Sequence, residues 1–562
     1  MSKLNCRFVL EHEVLTLGNG LFETSFGGVV SITSRQADGE GLSHPYLEIT
    51  AKRTDGSETR FCLWEDLPLV WIPEYREETL FEIRDHWLIR NVRLRAFTDE
   101  NDTLTEENEI TLFHGYIQGE RHGEIFCFES LEDDRAMVVI SENADYVTAT
   151  LTARRGVVRL KNGGNGLVIG YCRVGECEKL CRDYLRKVRK YDRLVSMSNT
   201  WGDRHGNERV CLDFVCREID TAEELGVDIV QIDDGWQVGD TNTCPRDELK
   251  RRYFDGNFWE CDRVRFPEEL GPVTEYARKK GIRVGMWFAP DSHDCFGHWE
   301  RDMEVLCKAY REWGIRFFKL DMYWVSNDEE RERMLAMLRE LHALGEDVTV
   351  QMDVTRDSRL NYLCGRQYGT VFVENRYTKS GNFFPYGCLK NLWMISKYVP
   401  ASRFQFELVN PDHNKDCYRE GDPFAPANYG MDYLFASVML SNPLFWMEMQ
   451  FLSEERRAEL APVMAVWKEH REALATMDVC PIGEKPNGRS LTGFVVSDGE
   501  EAKYLLLFRE VTDRSSAFIS APVKAAAAEI LSANGEVSVE ILDGAVRVEF
   551  KEPRSYAFVR IK

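Results

Sequence analysis

Long uncharged apolar runs are missing from this sequence. No stretch approaches the roughly 20 apolar residues that a bilayer-spanning helix needs, so a helical membrane protein is not expected. Positive charge is also scarce. Lys and Arg total 71 against 94 Asp and Glu, a net charge of −23. Nucleic acids and anionic lipid surfaces both call for clustered basic side chains. Neither is an expected partner, and a neutral ligand such as an uncharged sugar suits the composition better. The opening residues, MSKLNCRFVLEHEVLTLGNG, lack the basic-then-apolar layout of an export signal. The 16 cysteines, spread from Cys6 to Cys480, have no regular disulfide spacing. Together these features predict free thiols and a cytoplasmic location.

Signatures of bound metals and cofactors are equally thin. Cys172, Cys177 and Cys181 lack a fourth ligand and C-x2-C spacing. Cys177 and Cys181 stand one helical turn apart in ECEKLCRDYLRK and read as the buried stripe of a helix. His293 and His298, in DSHDCFGH, lack the helical HExxH register. There is no Gly-rich phosphate loop and no Gly-x-Ser-x-Gly elbow. No metal and no cofactor are expected.

What is present is a change of periodicity along the chain. Residues 1–175 carry β-rich runs such as FETSFGGVVSITS, HWLIRNVRLRAFT and AMVVISE, punctuated by Gly18-Asn19-Gly20 and Asp55-Gly56. This pattern predicts an N-terminal β-sandwich. Trp64 and Trp71, in LWEDLPLVWIP, read as core residues of that domain. Residues 176–476 alternate short apolar runs with amphipathic helices. The strand-like runs number eight: LVSMSN, VDIVQIDD, IRVGMWFAP, IRFFKLDMY, VTVQMDV, TVFVEN, RFQFELV and PLFWMEM. Eight β–α repeats predict an α/β domain built as a closed (β/α)8 TIM barrel. Gly281 and Gly314 follow helical runs as C-terminal caps, and Gln237–Pro267 reads as an inserted loop. Residues 477–562 revert to strands and predict a small C-terminal antiparallel β-sandwich.

Active sites of such barrels lie at the C-terminal ends of the strands, and the residues there are acidic. Asp233 and Asp234 follow the second run, Asp291 the third, and Asp321 ends the fourth. Asp353 ends the fifth, Glu374 the sixth, Glu407 the seventh and Glu448 the eighth. Trp201, Trp236 and Trp259 lie in the loops after the first two runs. Carboxylates accept hydrogen bonds from hydroxyls and indoles stack on pyranose faces, so this is the inventory of a sugar site. Glycoside hydrolysis itself needs two carboxyl groups flanking one bond. Lys319 and Asp321 are two apart on a strand and share a face. A Lys ammonium there would keep Asp321 ionised as a nucleophile. Asp291, Glu407 and Glu448 read as structural strand-end groups.

Several blocks, in order, resemble glycoside hydrolase family 36, the α-galactosidase clan. LGVDIVQIDDGWQ is similar to its Asp-Asp-Gly-Trp strand, and NFWECDRVRFPEEL to its Trp-x-x-Asp-x-x-x-Phe-Pro segment. RVGMWFAPD resembles its third strand, with Ala289 and Asp291 in place of two glutamates. GIRFFKLDMYW resembles its Lys-Trp-Asp-Met nucleophile strand, and the region from Asn428 to Glu455 its closing strand. The resemblance covers most of residues 190–470. It implies a retaining, exo-acting α-galactosidase with Asp321 as nucleophile and no cofactor. Asp233 and Asp234 would bind the outer sugar hydroxyls, Lys319 would hydrogen-bond the sugar, and Trp259, Trp236 and Trp201 would wall the pocket. The acid/base falls on Glu374, in VFVENRY, where the family carries Asp, with Asp353 and then Glu407 as the next candidates. The family's Cys-Ser-Gly-Gly-Gly-Gly-Arg segment is replaced by MDVTRDSRLN. Arg359 there stands for the Arg, and Asp353 sits near the position of the Cys. That departure leaves the sugar open to α-N-acetylgalactosamine, and the reaction open to transglycosylation. A catalytically inactive sugar-binding protein is the reading from another class. Homo-oligomerisation is an expectation from the family alone.

Overall fold

The computed structural model describes all residues except 1–5, 20–22, 38–45, 76–77, 84–85, 95–104, 113–115, 143–148, 163–165, 189–192, 203–204, 240–256, 324, 354–367 and 373–375. The alternating runs at the N-terminus form antiparallel sheets. One has nine strands, ordered Thr105–Leu112, Trp87–Leu94, Ile125–Ser130, Ala136–Ser141, Leu167–Cys172, Leu69–Ile72, Glu58–Leu63, Tyr46–Arg53 and Val29–Ala37. A four-stranded sheet that includes Ala149–Arg154 and Val157–Lys161 packs on it through a common core of Phe61, Trp87, Phe126, Leu151, Leu160 and Tyr171. This is the sandwich that the β-rich runs call for.

Glu124 lies in this sandwich at 0% exposure, and its Oε2 accepts the Leu94 N–H at 2.6 Å. Burial pushes its carboxyl pKa up to about 8. The folded state therefore holds this proton more tightly than the unfolded chain does, whose carboxyl titrates near 4.5. The resulting stability is complete in acid, declines as pH rises from about 4.5, and is gone above about 8. The difference is on the order of 4 kcal/mol. Glu124→Gln removes the titration. The melting temperature of the parent relative to Glu124→Gln is expected to fall steadily between pH 5 and pH 8.5. A pH-independent difference would show that Glu124 is not held protonated.

Helix α1 (Cys177–Lys187) leaves the sandwich and joins it to the rest of the chain. Cys177 and Cys181 are buried along its inner stripe, and the Cys172 and Cys177 sulfurs lie 3.7 Å apart. All cysteines among the described residues are free. Two arginines of α1, Arg182 and Arg186, face the chain beyond the barrel. Arg186 donates to the Met477 carbonyl at 2.6 Å, and Arg182 and Arg186 both approach Asp478, at 3.5 and 3.3 Å. Trp64 and Trp71 stack at 6.4 Å; Trp64 is a buried core side chain beside Tyr184 of this helix, and Trp71 is half-buried against the same core.

The eight apolar runs become the eight parallel strands of a closed barrel in sequence order. They are β1 (Met197–Asn199), β2 (Ile229–Ile232), β3 (Arg283–Phe288), β4 (Phe317–Leu320), β5 (Thr349–Asp353), β6 (Gly369–Phe372), β7 (Phe404–Leu408) and β8 (Asn442–Phe445). Helix α2 (Leu212–Leu225) follows β1, α3 (Gly271–Lys279) follows β2, α4 (Trp299–Glu312) follows β3, and α5 (Asp328–Ala343) follows β4. Later come α6 (Pro385–Ile395) after β6, α7 (Met431–Val438) after β7 and α8 (Glu454–Thr476) after β8. Gly281 and Gly314, at φ 73° and 74°, close α3 and α4 in the left-handed conformation that glycine adopts without a Cβ clash.

Alternation along the strands sorts the side chains into two cores. Met197, Ile229, Phe317, Phe372 and Leu444 fill the barrel interior, capped by Trp446. The opposite faces pack on the helices in a second, larger core. Beyond α8, Asp478–Gly483, Leu491–Asp498, Glu501–Arg509, Ser555–Ile561 and Ala528–Ala533 form a five-stranded antiparallel sheet. A three-stranded sheet covers it through Leu505, Val546 and Phe550. No helix among the described residues is long and apolar enough to cross a membrane.

Candidate active site

At the C-terminal ends of the strands, carboxylates from β2, β4 and β5 converge on one buried ammonium. Lys319 of β4 faces the barrel axis, and its Nζ lies 2.8 Å from Asp233 Oδ2, 3.0 Å from Asp353 Oδ2 and 3.6 Å from Asp321 Oδ2. Burial alone would depress the Lys319 pKa. The facing Asp233, Asp353 and Asp321 more than offset it and hold the ammonium well above its usual range. The sequence spacing pairs Lys319 with Asp321. In three dimensions Asp321 is the most distant of its three carboxylates.

Asp321 differs from its neighbours in exposure. Its side chain is 14% exposed, against 2–3% for Lys319, Asp233 and Asp353. Of the three carboxylates around Lys319, it is the one that an entering ligand reaches most easily. Its orientation is set from three sides. The Trp287 indole N–H donates to Oδ2 at 2.9 Å, Lys319 stands beside the same oxygen, and the Met322 N–H donates to Oδ1 at 2.6 Å. Met322 has φ 57°. A non-glycine residue in this region costs on the order of 1–2 kcal/mol, and here the strain turns a backbone donor onto the carboxylate.

Asp233 is fixed from below. Asn199 of β1 donates its amide to Asp233 Oδ2 and to Gln231 Oε1, both at 2.7 Å. The Asp233 N–H donates to Thr200 Oγ1 at 2.9 Å. Asp234, next along, accepts from the Gln237 side-chain amide and lies 3.5 Å from Asn207 Nδ2. The turn between them depends on Gly235. Its φ is 112°, and a Cβ there would sit 2.6 Å from the Asn207 Cβ. The inserted loop is pinned at its base, where Gln237 bridges to Cys261.

The aromatic residues divide. Trp259 is half-buried and lies 4.5 Å, centroid to centroid, from Phe288 and 5.9 Å from Trp287. Trp201 is half-buried against the interior cluster that includes Trp446. Trp236 corrects the expectation of a sugar platform. It is 0% exposed, donates its indole N–H to the Trp287 carbonyl at 2.9 Å, and packs edge-on to Trp313 at the end of α4. The Gly235 turn sends it outward into the helix layer, behind the site.

Two groups that sequence reasoning passed over belong here. Trp287 is register-paired with Lys319 across β3 and β4, which is why its indole reaches Asp321. Trp446 places its ring centroid 5.2 Å from Lys319 Nζ. Other strand-end carboxylates have separate surroundings. Asp291 is buried, its N–H donates to Asp302 at 2.9 Å, and its Oδ1 accepts the His293 N–H at 3.0 Å. Glu407 is buried and accepts the Arg376 N–H at 3.1 Å. The His293 and His298 rings are 6.5 Å apart. Among the described residues, no group of three His, Cys, Asp or Glu side chains is placed to hold an ion. Glu374 and Arg359 lie outside the described residues.

No protein-family model matches the chain. Two curated proteins resemble it over short stretches. An α-galactosidase of Lactobacillus acidophilus is 29% identical over 75 residues, 13% of this chain and 9% of that protein. A probable α-galactosidase of Dictyostelium discoideum is 25% identical over 128 residues, 22% of this chain and 29% of that protein. The matches span less than a third of either relative's length. Likeness to solved structures is far more extensive. A family 36 α-galactosidase of Geobacillus stearothermophilus, crystallised with raffinose, superposes with a TM-score of 0.66 over 95% of this chain and 87% of that one, at 12% identity. The galactosidase domain of an α-galactosidase–sucrose kinase gives 0.67 over 95% and 86%, at 12% identity. An α-galactosidase of Lactobacillus brevis gives 0.66 over 95% and 85%, at 10% identity. At such identities the likeness shows a common fold: a (β/α)8 barrel with β-sandwiches on both sides.

Proposed function

We propose that the chain is a retaining, exo-acting α-glycosidase, a divergent relative of the family 36 enzymes, that releases terminal α-galactose. The observation that carries this reading is the Asp321 carboxylate. It is the most open of the acids around Lys319, and Trp287, Lys319 and Met322 fix it at the mouth of a barrel. A nucleophile needs that combination of access and fixed orientation. The shared fold and the short α-galactosidase matches support the same class.

In the proposed reaction Asp321 attacks the anomeric carbon while Glu374 gives its proton to the departing glycosidic oxygen. The C–O bond to the leaving group breaks, and a β-linked glycosyl ester forms on Asp321. Glu374 then takes a proton from water, the water oxygen attacks the anomeric carbon, and the ester bond breaks. Net configuration is retained. Asp233 and Asp234 serve the outer hydroxyls, and Lys319 bridges Asp233, Asp353 and the sugar. The assignment of Glu374 rests on the sequence resemblance. Asp353 suits that role poorly, because a carboxylate paired at 3.0 Å with a buried ammonium is badly placed to release a proton.

A panel of aryl α-glycosides, with the first-formed anomer read by NMR, tests the reading. The expected result is turnover of the α-galactoside with α-galactose appearing first. A β first product would overturn the mechanism. Binding without turnover of any glycoside would favour a sugar-binding protein.

A further inference from the structure

The strained backbone near Asp321 is not confined to Met322. In the β3–α4 loop, Asp294, Cys295 and Phe296 are three consecutive non-glycine residues with positive φ, at 50°, 53° and 60°. This conformation crowds the Cβ against the following carbonyl oxygen. Asp adopts it more readily than most residues, but Cys and Phe do not. Such a run persists only where its surroundings over-determine it, and here they come from the far side of β4. Arg333 of α5 donates through Nη1 to the Asp294 carbonyl and, at 3.1 Å, to the Cys295 carbonyl. Its guanidinium is fixed by Glu329, one turn earlier, at 2.7 Å. Asn327 caps α5 by accepting the Glu330 N–H at 3.0 Å, and its Nδ2 donates to Cys295 Sγ at 3.9 Å. Residue 297 completes the turn as glycine, because a Cβ there would sit 2.8 Å from Asp294 Oδ2.

The run swings the chain from surface to core within three residues. His293 and Asp294 are exposed, whereas Phe296 is 0% exposed and meets Tyr323 edge-on, with ring centroids 6.5 Å apart. Tyr323 is buried and directly follows Met322. Asp321 still donates its N–H to the Phe288 carbonyl at 3.0 Å, as a barrel strand does. Immediately afterwards Met322 turns left-handed, and its N–H meets Asp321 Oδ1. The Asp321–Met322 peptide is thus held on one side by the barrel and on the other by Tyr323, which packs on Phe296. Without Phe296, Met322 is free to relax to an unstrained φ and carry its N–H off the carboxylate.

We infer that Phe296 is a positioning residue for the nucleophile, and that the left-handed turn at residues 294–296 is what places it against Tyr323. It touches no substrate and acts through Tyr323 and the Met322 N–H. This inference rests on the glycosidase reading above. A misplaced nucleophile loses rate while the sugar keeps its other contacts.

The test reads two quantities on each variant: the single-turnover rate constant for release of the aryl group from an aryl α-galactoside, and the Kd for galactose. Cys295→Val puts a β-branched residue where φ is positive and opposes the turn without touching Phe296. It is expected to lower the rate constant about tenfold or more, with the galactose Kd changed less than twofold. Cys295→Gly removes the same side chain but adopts the turn freely, so it should keep the parent's rate. Phe296→Ala should lose rate as Cys295→Val does, and Phe296→Leu should restore most of it. Melting temperatures are read alongside, and Cys295, which is only half-buried, can be changed without opening the core. A parental rate in Cys295→Val, or equal losses in the Val and Gly variants, overturns the positioning role and leaves the glycosidase reading standing. So does a rate loss matched by the loss of galactose affinity. If the parent turns over no α-galactoside, both readings fall together.

Discussion

Asp321→Asn is expected to lower turnover of any accepted α-galactoside by on the order of 10^4 or more while leaving the fold intact. Removing a nucleophile from a set of groups that acts as a unit costs nearly the whole chemical contribution of the set. The structural effect should be small. The side chain is 14% exposed, and an Asn carbonyl can still accept from the Trp287 indole or the Met322 N–H. The measurement is a single-turnover assay with a thermal melt of the same preparation. A companion variant, Asp321→Gly, leaves room for a small anion on the face of the sugar where the carboxylate would attack. Added azide is expected to restore part of the activity and to give β-galactosyl azide. Unimpaired activity in Asp321→Asn would end the assignment.

Lys319→Met is expected to have the second largest effect, and on stability as well as rate. The ammonium is shared by Asp233 at 2.8 Å and Asp353 at 3.0 Å, both buried. Removing one partner from a buried ion pair while the other stays typically costs about 3–5 kcal/mol. The double variant Lys319→Met, Asp353→Asn should recover part of that loss, because the sites are in contact and their effects do not add. It should recover no activity, since the group proposed to bridge Asp233 and the sugar is still absent. Denaturant unfolding and kcat/KM on the same samples separate the two effects. A Lys319→Met variant as stable as the parent would show that the ammonium is not what holds these carboxylates in place.

The barrel was legible because its signal is local and repeated. Eight short apolar runs separated by helical periods have few other solutions, and GIRFFKLDMY contains β4 as Phe317–Leu320. The acidic strand ends were legible for the same reason, since a parallel barrel puts all of them on one face. What spacing could not show was the choice of partners. Lys319 and Asp321 are neighbours in sequence, but Asp233 and Asp353 arrive from other strands and come closer. Trp287 is visible in RVGMWFAPD. Its hydrogen bond to Asp321 depends on the register of β3 against β4, a long-range quantity that no local pattern encodes. Trp236 was misplaced for the opposite reason. Its motif reads as a site feature, but one positive-φ glycine turns it away from the mouth. Glu448 reads from the sequence as a structural strand-end group, and its partners His205 and Arg209, far away in sequence, reach it only where the β1–α2 and β8–α8 loops touch.

The most direct test of the account is to trap the covalent intermediate. Incubation with a fluorinated, slowly turned-over α-galactosyl fluoride, followed by proteolysis and mass spectrometry, should place one glycosyl unit on the peptide that contains Asp321. The label should be absent from Asp321→Asn. A label on another carboxylate, or steady turnover that yields the β anomer without any labelled peptide, would contradict it.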